Sequence, residues 1–162
     1  MALDLFRLFG TLCMTAAALG SVLFLLRWEA RRKAELSGLL SLLSTVKSGI
    51  LLRSLPLSEI FLGFEEPALS ACGFLEALRS GGLRFALDGG FLSFSREELS
   101  FLYRYAEGLG ERFLCEEETA VTEALGALSA LIAEESEEKK KSYKRRRTLI
   151  LTGTGMLLLL LV

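Results

Sequence analysis

The 162-residue chain contains no histidine. It therefore lacks the commonest general base and the commonest transition-metal ligand. Serine is plentiful, but no histidine stands by to activate it and no nucleophile-elbow pattern occurs. The glycines never take the spacing of a phosphate-cradling loop. Cysteine is scarce: Cys13, Cys72 and Cys115 are odd in number and widely spaced, which argues for free thiols and against a disulfide or zinc framework. Proline is scarcer still, and both copies, Pro56 and Pro67, stand where a helix can begin. The run Glu116–Glu118 could invite a hard cation, but consecutive helical side chains point in different directions and do not converge. With these chemistries removed, the expectation is a non-enzyme with no cofactor and no metal.

What the chain does have is charge segregation beneath a net charge of −1. Leu8–Leu26 (LFGTLCMTAAALGSVLFLL) carries no ionisable side chain apart from a thiol. At about 1.5 Å per residue it approaches the roughly 30 Å hydrocarbon thickness of a bilayer. Residues 148–162 form a second uncharged run, shorter at about 22 Å on the same rise. A terminal span of that length works where the bilayer thins or the last carboxylate sits at the interface. Arg27, Arg31, Arg32 and Lys33 follow the first run, and Lys139–Lys141 with Lys144–Arg147 precede the second. A cleaved signal peptide carries its positive charge before the apolar run, so this order disfavours one. Positive charge on the inner flank of both runs places the middle of the chain in the cytoplasm and both termini on the far side. Trp28 fits an interfacial anchor, and the basic edges would attract membrane lipid. Because the membrane accounts for the basic runs, no nucleic-acid partner is expected.

The domain boundaries follow: 1–27 and 148–162 as transmembrane segments, 28–147 as one cytoplasmic domain. That domain reads as all-α, a compact helical bundle flanked by the two transmembrane helices. Leu36, Leu39, Leu40, Leu43, Val46 and Ile50 recur at helical spacing, on a helix that can run on from the first span unbroken. PLSEIFLGF reads as a short second helix. PALSACGFLEALRS reads as a third, ended by Gly81 and Gly82. Residues 81–94 show no helical period and are left open between a short hairpin and a loop. Ser95–Glu98 is a capping box, in which the serine hydroxyl accepts from the backbone three residues on and the glutamate reaches back. The helix it opens places Leu99, Leu102, Tyr103, Ala106 and Leu109 inward and stops at Gly110. The last helix, from about Glu116 to the membrane, carries Val121, Leu125, Leu128 and Ile132 as its core stripe. Its Glu134–Glu138 acids precede Lys139–Lys141 at spacings that suit intrahelical pairs, so this stretch reads as a solvated helix between domain and bilayer.

The segments LLSLLSTVKSGILLRSLPLSEIF, FLYRYAEGLGERF and EESEEKKKSYKRRR, set between two apolar ends, resemble stage III sporulation protein AB, and the resemblance runs over almost the whole chain. After Leu109–Gly110 this chain departs from the family, which usually continues with a polar turn ending in aspartate, where ERFLCEEE stands here. The resemblance implies an all-helical cytoplasmic domain similar to one in the type II secretion inner-membrane platform protein. It also implies a place in the membrane complex between mother cell and forespore, beside a cytoplasmic secretion-type ATPase and other membrane subunits. The expected role is a structural and coupling platform in the mother-cell membrane, compatible with a homo-oligomer.

Two other roles are open to the same sequence: a membrane-anchored regulator that sequesters a cytosolic signalling protein, and a holin-type pore, which the large central domain disfavours. For the ATPase contact, a straight last helix puts the turn Glu107, Gly108, Leu109, Gly110, Glu111 and the acids Glu116 and Glu117 farthest from the lipid, exposed to a cytoplasmic motor. The competing explanation of Gly108 and Gly110 is that they only end a helix.

Overall fold

The computed structural model describes residues 2–53, 55–110 and 115–137, with side chains placed for 19–50, 55–110 and 115–137. All regular structure among them is helical. The first helix, α1, runs unbroken from Ala2 to Arg53, about 78 Å at the standard rise. It carries the first expected span and the first domain helix as one element. Its two halves differ in surroundings. Leu19, Val22, Leu23, Phe24, Leu25 and Leu26 are exposed, whereas Leu36, Leu39, Leu42, Leu43 and Val46 are buried. The roughly three turns from Leu36 to Val46 thus form the wall on which the other helices pack.

Two glycines bring those helices close. A Cβ on Gly38 would lie 2.9 Å from Leu69 of α3 (Pro67–Ala71), and one on Gly49 would lie 2.5 Å from Ile60 of α2 (Leu57–Gly63). Both distances are inside ordinary carbon contact, so a larger residue at either position would make the facing side chain shift. Pro56 precedes α2, and Pro67 opens α3, as expected at helix starts.

The next stretch departs from expectation. PALSACGFLEALRS is not one helix: Gly73, at φ 84, separates α3 from α4 (Phe74–Asp88). Nor do Gly81 and Gly82 end the second piece. Gly82 takes φ 78 and ψ −176, a conformation open essentially to glycine alone, and the helix resumes beyond it. Leu83, Ala86 and Leu87 on the second limb and Phe74, Leu75, Ala77 and Leu78 on the first are all buried. Burial on both limbs overrides the helix-stopping preference of the glycine pair. Residues 83–88 are therefore helical, and the uncertain segment resolves into a kinked helix followed by a loop, with no hairpin.

The capping box forms as read: Ser95 N–H donates to Glu98 Oε2 at 2.7 Å and Glu98 N–H to Ser95 Oγ at 3.2 Å. It closes a turn ahead of α5 (Ser100–Glu107), which buries Leu102 and Tyr105. Leu99 is buried as expected, while Tyr103, Ala106 and Leu109 pack at the margin. The final helix, α6, occupies described residues 115–137. It buries Val121, Ala124 and Leu128, with Leu125 and Ile132 half-buried beside them. It lies antiparallel to α1, since Lys47 donates to Thr122 (3.0 Å) and Arg32 to Glu135 (2.9 Å).

Among the residues whose side chains are placed, no helix is long and apolar enough to cross a membrane. Residues 8–18 of the first expected span lie outside them, as does the whole of the second, 148–162.

Candidate functional site

The polar side chains gather at two ends of the bundle. The first lies where α1 leaves its exposed apolar half. Glu35, 1% exposed, accepts from Arg31 Nε (2.7 Å), from the Ser93 N–H (2.7 Å) and from Ser93 Oγ (3.0 Å). One turn earlier, Arg32 donates to three groups at once, on the loop 91–98 and on α6. Its guanidinium reaches Glu98 (2.7 Å), Glu135 on α6 (2.9 Å) and the Ser93 carbonyl (3.2 Å). It also stacks over Phe94, 4.2 Å from the ring centroid. A planar fork of donors suits this multiple grip.

The electrostatics follow from the contacts. For Glu98, burial opposes the charge. The Ser95 N–H, the Arg32 guanidinium and the Ser95 hydroxyl outweigh it and hold the carboxyl below its ordinary range. Burial opposes the Arg32 charge too, and the hydrogen bonds and charges of Glu98 and Glu135 raise its pKa all the same. The hydrogen bond and charge of Glu35 do the same for Arg31.

Nothing in the sequence marked this cluster. Arg31 and Arg32 read as membrane-flanking charge, and Glu135 as one acid of a solvated run. The only available signal was the capping box, which places Glu98 at the mouth of the loop. The cluster clamps α1, the loop 91–98 and α6 into one body.

The second end is the expected contact region. Gly110 lies beside Leu57 at the start of α2, with a built Cβ 3.1 Å from that side chain, so the turn sits at the end of the bundle far from Arg32. Glu107 is exposed and accepts from Arg84 at 2.8 Å. Gly108 and Leu109 are half-buried, and Gly110 and Glu116 are exposed. Glu111 lies outside the described residues.

Glu117 corrects the expectation. It is only 4% exposed, and among the described residues both carboxylate oxygens lack a hydrogen-bond partner. The reason is register: Glu117 precedes Val121, Ala124 and Leu128 at spacings of four, three and four, which turns it onto the inward stripe. It is not available at the surface.

Cys72 is half-buried and Cys115 exposed, and both are free thiols. Among the described residues no group of three or more acids or cysteines could hold a metal ion. No family model, no curated protein and no solved structure matches this chain.

Proposed function

We propose that this chain is a non-catalytic, membrane-tethered platform subunit that couples a cytoplasmic secretion-type ATPase to the other membrane subunits of a sporulation channel complex. The continuity of α1 supports it most. One helix carries apolar side chains exposed around its circumference from Leu19 to Leu26 and then, without a break, becomes the wall of a packed bundle. Side chains of that kind, exposed in water, would be a costly surface, at about 1.5–3 kcal/mol for each large residue left uncovered. A bilayer removes the cost and makes α1 a stiff rod that transmits force between domain and membrane. The basic flanks orient it with the bundle in the cytoplasm, and the resemblance to stage III sporulation protein AB supplies the complex, the mother-cell membrane and the ATPase.

The end bearing Glu107, Gly108, Gly110 and Glu116 lies opposite the apolar half of α1 and is the ATPase-facing surface in this proposal. The test pairs topology with binding. Alkaline phosphatase fused after Gly90 should be inactive, and an active fusion would reverse the orientation. Glu107→Lys with Glu116→Lys should abolish co-purification of the ATPase while leaving helical content intact. Unchanged co-purification rejects this docking end. One-to-one capture of a soluble protein instead of a hexameric motor favours the regulator.

A further inference from the structure

We infer that the loop Gly89–Ser95 is a second membrane-contact element, resting in the phospholipid headgroup layer of the leaflet that α1 enters; this rests on the proposal that Leu8–Leu26 spans a bilayer.

Register along α1 gives the height of the loop. Arg32 lies six residues beyond Leu26, about 9 Å along the axis, and helical side chains lean back toward the N-terminus. A bilayer of about 40–45 Å with a hydrocarbon core of about 30 Å leaves about 5–8 Å of headgroup region on each side. The Arg32 guanidinium therefore reaches the headgroup depth, and it touches the Ser93 carbonyl and the Phe94 ring. The loop is held at that level from the other side too, by the buried Glu35 beneath Ser93.

The chemistry of the loop suits that place. GGFLSFS has no charged residue over seven positions; its Leu92 and Phe94 pack half-buried against the core, and its Phe91 is exposed. Surface loops of soluble domains are ordinarily polar, because water is what they face. Phe91 is 36% exposed and lies across Gly73 and Gly89, at the ends of α3 and α4. A Cβ on Gly89 would come within 2.1 Å of the Phe91 ring, so the glycine is what lets the ring lie flat there. Trp28, 42% exposed, stands one turn before Arg32 on α1, and Arg27 and Lys33, exposed, lie within five residues of it on the same helix. Aromatic rings ringed by cations form the pattern that settles at a lipid interface. The rod and the loop together would hold the rotation of the bundle about α1.

The chain has one tryptophan, so each contact can be read separately. The full chain is reconstituted in vesicles of phosphatidylcholine and phosphatidylglycerol whose acyl chains carry bromine near the headgroups. Native Trp28 reports the span. Trp28→Phe with Phe91→Trp reports the loop, and Trp28→Phe with Leu62→Trp, at an exposed position of α2, is the distal control. Quenching at Trp28 and at position 91, with none at position 62, is expected. Quenching at Trp28 with none at position 91 overturns the loop contact and leaves the membrane proposal standing. Absence of quenching at Trp28 itself rejects both. If Phe91→Trp fails to reach native helical content, Trp28→Phe with Leu92→Trp, on the same loop, gives the same discrimination.

Discussion

Arg32 on α1 and Glu135 on α6, 103 residues apart in sequence, meet at 2.9 Å. Their side chains are only 21% and 15% exposed, so the pair is better shielded than an ordinary surface ion pair. It joins the first and last helices at the level where the chain is proposed to enter the membrane, and it shares its guanidinium with Glu98.

Removing that guanidinium should loosen three elements together. Arg32→Met leaves Glu98 and Glu135 half-buried without their cation and should cost about 2–3 kcal/mol. A double-mutant cycle with Glu135→Gln should show coupling of roughly 0.5–3 kcal/mol. Chemical unfolding of the full chain in detergent, followed by circular dichroism, measures both. Additive effects would mean that the pair contributes nothing beyond its separate parts.

Glu98 makes stability depend on acid. Its carboxyl is held below the ordinary range in the folded chain, so its contribution is complete above about pH 4.3, the usual glutamate value, and is lost as pH falls through the depressed folded value. Glu98→Gln should therefore be less stable than the native chain at neutral pH, and the difference should shrink toward pH 3. Melting temperatures across that range decide it, and a constant gap would contradict the linkage.

Glu117 should be replaceable with gain. A buried carboxylate with both oxygens unpartnered carries an uncompensated desolvation cost. Glu117→Leu should raise stability by about 1–3 kcal/mol. Its neighbour Glu116 is exposed, and Glu116→Lys should stay within about 0.5 kcal/mol of the native value. A loss of stability in Glu117→Leu would show that the carboxylate has a function in the folded chain that its isolated geometry does not reveal.

Two glycines should respond to alanine with opposite signs. At Gly82 nothing lies within 4 Å of a built Cβ, yet φ 78 with ψ −176 penalises any side chain, and Gly82→Ala should cost about 1–3 kcal/mol. At Gly126, exposed inside α6 with equally open space and no positive φ, alanine should stabilise by about 0.5–1 kcal/mol. Unfolding curves of the two variants separate backbone strain from packing, because neither site is crowded.

The sequence by itself determined what depends on neighbours along the chain. Helical periodicity placed Leu36, Leu39, Leu43, Val46, Leu102, Val121 and Leu128 in the core, all of them buried. Pro56 and Pro67 marked helix starts, and the Ser95–Glu98 box formed through its own two hydrogen bonds. These are interactions across three or four residues, and residue type with spacing is enough to specify them. Only the tertiary structure decided the rest. Gly82 bends a helix instead of ending it because apolar residues on both sides find the same core. Glu35 and Arg32 became a clamp because Ser93, Glu98 and Glu135 arrive from distant segments, and Glu117 went inward because its stripe faces the bundle. A charge looks alike in sequence whether it meets water, lipid or a partner. Its environment is set by contacts between residues tens of positions apart, and folding alone brings those together.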